Sequence, residues 1–385
     1  MNSFFRRLDH PFGSSHLTGL LLAVVLGVAA SGGRTTAASG KGETRGFLIT
    51  GSSNAFHYGA MEVDCPQGFE PSVEELWLAT LDPAERTRLK RPEHAKEYAQ
   101  AWKDDYISGP GDENVCNNPK SFLTDPRHPP YLGVQSPVSY GLNLDGTTDG
   151  RATPNSCEHP KFAGLNGEPA VDNQLYRALG CVRVYDGDIR LKGGDTPAEQ
   201  RTRRSLNLYL IELRGLDDLR NDDEVEVGIY STDDLSLRSP SGTELPHQSF
   251  RVTSNPRWHT RTKGRLINGV LTTDVVEVLY LSWLIPTTGA FGQASEHEFH
   301  DVRFQLSLRP DGTLTGIMGA YRPIENITTE GRCCKSMASV ANHDCASEHK
   351  TFVAMADGHP DPVTGMCTML SAAQRVEGIP AFVIQ

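Results

Sequence analysis

The sequence lacks a complete catalytic motif of the common enzyme classes. Gly51-Ser52-Ser53 does not continue into the Gly-x-Ser-x-Gly turn of serine hydrolases. His297 and His300 do not have the spacing of zinc proteases, which place two histidines four residues apart on a helix. No Cys-x-x-Cys-His sequence is present for covalent haem attachment. We therefore expect no haem cofactor, and we expect no nucleotide cofactor either.

The chain also lacks an apolar run long enough for a typical transmembrane helix, which needs about 20 residues. Its apolar segment Leu20–Ala30 follows a basic pair and precedes small residues, so cleavage is plausible after Ala30 or Ala38. This order of segments is typical of a secretory signal. Residues 1–38 are predicted to be a signal peptide with a short linker, an uncleaved anchor being the alternative. We expect no other membrane span.

The sequence also has no excess of basic residues over acidic ones. The full chain carries a net charge of −11, and removal of the segment up to Ala30 takes away Arg6, Arg7 and Asp9, which leaves −12. A net-acidic exported protein has little electrostatic reason to bind nucleic acid or anionic lipid. The predicted partner is an extracytoplasmic ligand of unknown identity, and no nucleic acid.

Cysteine is absent from residues 182 to 332, but four cysteines lie on each side of this gap. They are Cys65, Cys116, Cys157, Cys181, Cys333, Cys334, Cys345 and Cys367. An even number behind an export signal indicates a disulfide framework and a periplasmic or secreted location. Pairing within each group of four is the simplest expectation, for example Cys157 with Cys181. The alternative is a zinc site formed by Cys333, Cys334, Cys345 and His349.

The flanking regions are predicted to contain loops and short helices. Region 39–190 is loop-rich, with a capping box at Ser72–Glu75, an Asp82-Pro83 helix start, and a further short helix over Pro92–Trp102. Region 323–385 is predicted to be a Cys-containing helical piece. Its expected helices lie within 333–355 and 368–376, and its expected last strand covers 381–384.

Region 191–322 is predicted to be rich in β-strands. Val225, Val227 and Ile229 alternate with other side chains, and this period of two buries one face of a strand. Asn268-Gly269 is a strong hairpin signal, and Pro310-Asp311-Gly312 marks another turn. Such strands without intervening helices indicate an antiparallel sandwich or barrel. The predicted fold class is mainly β with α segments, built on a central antiparallel β-sandwich with loop-rich, disulfide-bonded flanks.

Oxygen-bearing side chains and glycines alternate in the segment 140–150, and a similar segment follows at 165–174. Calcium binds six to eight oxygen ligands, and glycine allows a short loop to fold around the ion. The candidate calcium ligands are Asn143, Asp145, Asp149 and Asp172, with Asn173 as an alternative to Asp172. These residues are equally favoured in ordinary turns, which is the alternative interpretation.

Other candidate residues lie in the predicted β region. Trp258 and His259 could form an aromatic platform for a ligand, although such residues more often belong to packing. His297 and His300, with glutamates between them, are better explained as an exposed strand edge than as a metal site, because alternate residues of a strand face opposite sides.

Four segments together resemble a group of exported bacterial proteins known only as uncharacterised. They are Tyr140–Gly146, Val171–Cys181, Asp222–Val227 and Ala356–Pro362. The resemblance covers most of the chain after the signal. It implies no activity, and it implies that Asp172, Asn173, Gln174 and Arg177 form one local feature beside Cys181.

The leading functional prediction is a non-catalytic binding or structural module, stabilised by calcium. The alternative is an extracytoplasmic hydrolase that acts on a glycan or an ester. Its site would be built from scattered carboxylates together with His259 or His300.

Overall fold

The computed structural model describes residues 42–102, 104, 115–116, 118–183, 208–287, 290–332 and 344–385. The protein is mainly β, with 39% strand and 22% helix. The strands are β1 (Glu43–Asn54), β2 (Val138–Ser139), β3 (Ala163–Gly164), β4 (Tyr209–Leu216), β5 (Asp222–Ser231), β6 (Gln248–Arg251), β7 (His259–Ile267), β8 (Val270–Thr273), β9 (Val276–Thr287), β10 (Ala290–Leu308), β11 (Leu314–Pro323), β12 (Gly358–Pro360) and β13 (Cys367–Ile384). The helices are α1 (Met61–Asp64), α2 (Val73–Thr80), α3 (Pro83–Leu89), α4 (Ala95–Trp102), α5 (Gln174–Leu179), α6 (Ile324–Arg332) and α7 (Cys345–Met355).

Eight antiparallel strands form a closed barrel. The strand order is β1-β4-β5-β7-β8-β10-β11-β13, and β13 pairs with β1 to close the ring. Three further strands extend the sheet from this ring. β6 pairs with β13 in parallel, β9 forms a long hairpin with β10, and β12 pairs with the start of β13.

The predicted β-sandwich is therefore wrong, because the sheet is a closed barrel. The strands of the predicted β region run from β4 to β11 and leave an open sheet with two edges. β1 comes from the N-terminal flank and β13 from the C-terminal flank, and they pair with each other and with the two open edges. Closure removes both edges, so their backbone N–H and C=O groups are paired within the protein.

The turns predicted from the sequence are confirmed. Asn268 and Gly269 join β7 to β8, and both have positive φ angles, 54° and 82°. This is the backbone conformation that a two-residue hairpin of type I′ requires. Asp311 and Gly312 lie in the turn between β10 and β11, where Gly312 has a φ of 84°.

The predicted helix starts in the N-terminal region are also confirmed. The Ser72 hydroxyl accepts a hydrogen bond from the Glu75 backbone N–H at 3.2 Å, and the Glu75 carboxylate accepts one from the Ser72 N–H at 2.8 Å. The Asp82 side chain caps α3 by accepting hydrogen bonds from the Ala84 and Glu85 N–H groups, with proline at the first helical position. The segment Pro92–Trp102 forms a short 3-10 turn, Pro92–His94, followed by α4.

The helix predicted over 368–376 is wrong, because these residues belong to β13. Their side chains suit a helix, but the segment pairs with β11 on one side and with β1 on the other. Small residues face each other in this ladder, with Ala372 opposite Ala320 and Ala373 opposite Gly319. Pairing on both edges outweighs the local helix preference.

Two large apolar clusters position the functional region. The barrel strands supply the first, with residues such as Phe47, Ile49, Val227, Phe304 and Leu306. The second lies between α5, α7 and the start of β13, and its buried members include Phe56, Phe162, Tyr176, Phe352 and Leu370. The polar segments between residues 140 and 172 fold over this second cluster, beside β12 and β13.

Within the described residues, three disulfides connect the chain: Cys65–Cys181, Cys116–Cys345 and Cys157–Cys367. Only the first stays within one group of cysteines, so the expected Cys157–Cys181 pair is wrong. The other two link the N-terminal flank to the C-terminal flank, which lie side by side once the barrel closes. Three disulfides favour an oxidising, extracytoplasmic location. Cys333 and Cys334 lie outside the described residues.

No helix in the described part of the chain is long and apolar enough to cross a membrane. The predicted signal segment, 1–38, lies outside the described residues.

Candidate functional site

Five ionisable side chains converge beneath the loops that precede α5, and we call them the ionic cluster. They are Asp145, His159, Lys161, Asp172 and Asp357. Their side chains are at most 6% exposed. So many buried charges require partners, since an unpaired buried charge costs several kcal/mol.

Asp172 is the centre of the ionic cluster. It directly precedes Asn173, whose side chain caps α5 by accepting a hydrogen bond from the Tyr176 N–H. The backbone N–H of Asp172 donates to the Leu142 carbonyl at 3.0 Å, and its Oδ2 accepts from the Leu144 N–H at 2.7 Å. The two segments that resembled each other in the sequence are thus paired, and this pairing aims the other oxygen of Asp172 into the cluster.

Lys161 bridges two of the carboxylates. Its ammonium group donates to Asp145 Oδ1 and to Asp172 Oδ1, both at 2.5 Å. Asp145 lies in a tight turn, where its carboxylate also accepts hydrogen bonds from the Thr147 N–H and the Ser156 hydroxyl. Burial opposes ionisation of Asp145, but Lys161 and the Thr147 N–H lower its pKa below the ordinary value. Asp145 is therefore ionised at neutral pH.

His159 is oriented by the backbone on one side and by carboxylates on the other. Its Nδ1–H donates to the Cys157 carbonyl at 2.7 Å, and its Nε2 lies 2.8 Å from Asp172 Oδ1. Burial lowers the pKa of His159, but the Asp172 hydrogen bond and the charge of Asp357 outweigh it, and the pKa lies above the ordinary value. Gly150, with a φ of 73°, packs against the His159 carbonyl and leaves no room there for a side chain.

Asp357 closes the ionic cluster from the side of the barrel. Its Oδ1 accepts a hydrogen bond from the Ser371 N–H at 2.6 Å. Its Oδ2 is buried 3.6 Å from His159 Nε2 and has no hydrogen-bond partner among the described residues. Burial raises the pKa of Asp357 to about 6. The nearby Tyr321 hydroxyl is likewise buried without a partner in the described chain, and burial raises its pKa.

A second polar group lies on the other side of Tyr321. Asp301 and His359 both have positive φ angles, 51° and 54°, and their side chains are hydrogen-bonded at 3.0 Å. This bond lowers the pKa of Asp301. The His359 ring contacts the rings of Tyr321 and His300 edge to face. This half-buried group borders the ionic cluster, because His359 follows Asp357 by two residues.

The candidate calcium ligands do not all come together. Asp145 and Asp172 share the ionic cluster, whereas Asn143 and Asp149 do not. The Asn143 side chain bonds the Thr147 carbonyl and the Gly146 N–H, so it stabilises its own turn. The Asp149 side chain is 52% exposed and pairs with Arg151.

The other candidate residues from the sequence are not members of the ionic cluster and have local partners. The Trp258 ring N–H donates to Glu296 at 2.7 Å, and His259 bonds the Thr253 carbonyl at 2.6 Å. His300 pairs with Glu298 at 2.7 Å. His297 is buried against Phe299, so it does not lie on an exposed edge.

The alternative zinc site of the C-terminal region is incomplete. Cys345 forms a disulfide with Cys116, so it offers no thiolate. His349 lies 3.2 Å from the Thr328 hydroxyl. The remaining two cysteines of that set lie outside the described residues.

Sequence reasoning did not find His159, Lys161 or Asp357 as site residues. His159 and Lys161 lie between the two Asp/Asn/Gly-rich segments, in a stretch without a recognisable motif. Asp357 lies in the segment Ala356–Pro362, which carries the resemblance to exported proteins but no recognisable catalytic or metal-binding motif. No spacing rule connects it to Asp172, because β13 and the disulfide at Cys157 bring the two together.

A shallow pocket lies over β5 and β7, away from these residues. It is lined by Arg214, Glu226, Val227, Gly228, Tyr230, Arg261, Thr262 and Lys263. None of them belongs to the ionic cluster.

Comparisons with known proteins add no functional assignment: no family model, no curated protein and no solved structure matches this chain.

Proposed function

We propose that this protein is exported with a cleaved signal in residues 1–38 and acts in the periplasm or outside the cell as a non-catalytic binding or structural module. The observation that carries this proposal is the ionic cluster. Its charged groups are buried, and all of them except Asp357 are hydrogen-bonded to one another, so none of them is presented to a substrate. Calcium bound by Asp145 and Asp172 is the alternative occupant of this cluster, and it would serve the same structural role.

The position of the ionic cluster supports a structural role. It joins the loops before α5 to β12 and β13, which are far away in the sequence. The Cys157 N–H donates to the Asp357 carbonyl at 2.9 Å, and the Cys157 sulfur is bonded to Cys367. Polar groups with fixed partners favour one arrangement of these loops over others.

An exposed apolar surface supports a binding role. Leu235 is 77% exposed, Leu237 66% and Phe382 57%. These side chains lie on the end of β13 and in the loop before β6, and Gln248 of β6 bonds the Leu237 backbone. Exposed apolar side chains on neighbouring elements are candidates for an interaction site. The ligand would present an apolar face of its own.

One observation favours the hydrolase as a second candidate. The pKa of Asp357 is raised to about 6, and His159 and Tyr321 lie beside it. Carboxyl groups with raised pKa values next to a histidine are typical of acid–base catalysis. This candidate would need the buried cluster to open to a substrate.

The substitution Asp172→Asn separates the two candidates. Because it removes the nearest carboxylate of His159 and one of the two carboxylates that pair with Lys161, we expect it to lower the free energy of unfolding by about 2–3 kcal/mol. Urea unfolding of the purified protein at neutral pH measures this loss. Chromogenic esters and glycosides should show no turnover with the natural sequence.

Asp149→Asn is the matched control, because its carboxylate lies in the segment 140–150 that pairs with Asp172 but is exposed. We expect its unfolding midpoint to equal that of the natural sequence. Turnover that is lost in a folded Asp172→Asn variant would establish the hydrolase instead. An unchanged stability of Asp172→Asn would contradict the structural role.

A further inference from the structure

The ionic cluster has the ligand set of a metal site. Asp145, His159 and Asp172 each offer one ligand atom, and these atoms lie within 4.8 Å of one another. The distances from His159 Nε2 to Asp172 Oδ1, Asp357 Oδ2 and Asp145 Oδ2 are 2.8, 3.6 and 4.0 Å. Two atoms that each lie about 2.1 Å from one ion, at the tetrahedral angle, are about 3.4 Å apart. The distance to Asp172 is shorter than this value, and the distances to Asp357 and Asp145 are longer.

Asp357 supplies an independent observation. Its side chain is fully buried, and its Oδ2 has no hydrogen-bond partner among the described residues although it lies beside His159. A buried acceptor without a partner is costly in a native protein and indicates an ion or another group that is bound there. A cation next to His159 Nε2 would be that partner.

The surroundings of the ligand atoms match those of a metal site. A histidine that binds a metal through Nε2 usually donates its Nδ1–H to a carbonyl or carboxylate, which orients the ring. The Cys157 carbonyl does this for His159. The carboxylates are also held from outside, Asp172 by the Leu144 N–H and Asp145 by Ser156.

The charges favour a divalent ion. Three carboxylates contribute −3 and Lys161 contributes +1. Because His159 must lose its proton to bind a metal, the metal-binding form of this buried site carries −2. One divalent cation brings the sum to zero. Lys161 lies 2.5 Å from Asp145 Oδ1 and from Asp172 Oδ1, and it neutralises the one carboxylate charge that a divalent ion leaves.

We propose that the ionic cluster binds one divalent transition-metal ion of the zinc class. Its ligands are the histidine and the three carboxylates, His159, Asp145, Asp172 and Asp357. Imidazole nitrogen with carboxylate oxygen is a zinc ligand set, whereas calcium prefers oxygen ligands alone. This inference concerns a bound ion and does not depend on the absence of catalysis.

The test begins with full-length protein that has been stripped of metal with chelator and dialysed. Zinc is then added, and bound zinc is measured by elemental analysis after gel filtration. We expect about one zinc per chain at the ionic cluster and a higher melting temperature. Asp357→Asn, which keeps the Ser371 hydrogen bond, should weaken zinc binding at least tenfold, and His159→Asn should do the same.

The control variant is again Asp149→Asn, which should bind zinc like the natural sequence. Cobalt substitution separates this site from the cysteines, because thiolate ligands give a charge-transfer absorption that histidine and carboxylate ligands do not. Equal zinc content in the natural sequence and both ligand variants would overturn the proposal. A melting temperature that rises with calcium but not with zinc would also overturn the zinc proposal, and it would support the calcium interpretation. Esterase and glycosidase assays of the zinc-loaded protein test the proposed function separately.

Discussion

At the scale of single residues, Asp357 is the member of the ionic cluster whose protonation matters most. One of its oxygens has a backbone hydrogen bond and the other has no hydrogen-bond partner in the described chain. His159 faces it and favours its charged form, whereas Asp172 and burial oppose that form. Burial is the largest of these effects, so the pKa of Asp357 is raised to about 6.

The replacement Asp357→Asn is expected to stabilise the metal-free protein at neutral pH. The pKa of an aspartate in the unfolded chain is about 3.9, below the value in the folded protein. Between these two values the folded protein binds more protons than the unfolded one, so the free energy of unfolding falls as the pH rises. Above pH 6 the full loss is present, on the order of 2–3 kcal/mol, and asparagine avoids it.

Urea unfolding in the presence of chelator at pH 4 and at pH 7.5 measures this effect. The variant and the natural sequence should differ at pH 7.5 and agree at pH 4. A variant that is less stable at pH 7.5 would show that the Asp357 charge is favourable even without a metal.

At the scale of elements, residues that are close in sequence determine the helices and turns. Pairing with neighbouring strands determines the strand β13. The capping box at Ser72 and the Asn268-Gly269 turn depend on neighbours in the sequence, so both could be predicted. β13 has residues that favour a helix, but two neighbouring strands provide hydrogen bonds to both of its edges. No property of residues 368–376 alone indicates those neighbours.

Removal of the cap of α2 should have a modest and predictable effect. Ser72→Ala removes the acceptor for the Glu75 N–H, and we expect a loss of about 1 kcal/mol in the free energy of unfolding. Differential scanning fluorimetry and urea unfolding both measure it. Ser72→Asn restores a side-chain acceptor and should recover most of the stability. Equal values for all three proteins would show that α2 unfolds independently of the rest.

At the scale of the whole molecule, barrel closure brings the two flanks together. β1 and β13 are adjacent strands, and two disulfides connect cysteines of the N-terminal flank to cysteines of the C-terminal flank. The expectation of pairing within each group holds for Cys65–Cys181 and is wrong for the other two disulfides, because it assumed that neighbours in sequence are neighbours in space. Cys157–Cys367 also holds the backbone that orients His159, so the covalent framework and the ionic cluster are coupled.

Peptide mapping under non-reducing conditions should recover a Cys157–Cys367 cross-link. The double substitution Cys157→Ala, Cys367→Ala removes a long-range cross-link, and we expect a loss of about 2–5 kcal/mol in the free energy of unfolding. Urea unfolding without reductant measures this loss. A cross-link between Cys157 and Cys181 would contradict the fold of this region.

The sequence by itself determined the features that depend on composition and on near neighbours. These are the use of disulfides, the β-rich character of the middle region, the hairpin turns and the helix caps. A turn needs only the backbone preferences of a few adjacent residues, and these are readable directly. The sequence also indicated Asp145 and Asp172 as residues of interest.

Only the tertiary structure decided the closed barrel, the disulfide connectivity and the membership of the ionic cluster. Each of these depends on contacts between residues far apart in the chain, such as Asp172 with His159 or Asp357 with the strand that bears Ser371. Hydrophobic pattern determines which face of a strand is buried, but it does not determine which strand lies beside it. For that reason the sequence does not distinguish a sheet with two open edges from a closed barrel. Only the pairing of β1 with β13 in the tertiary structure closes the barrel.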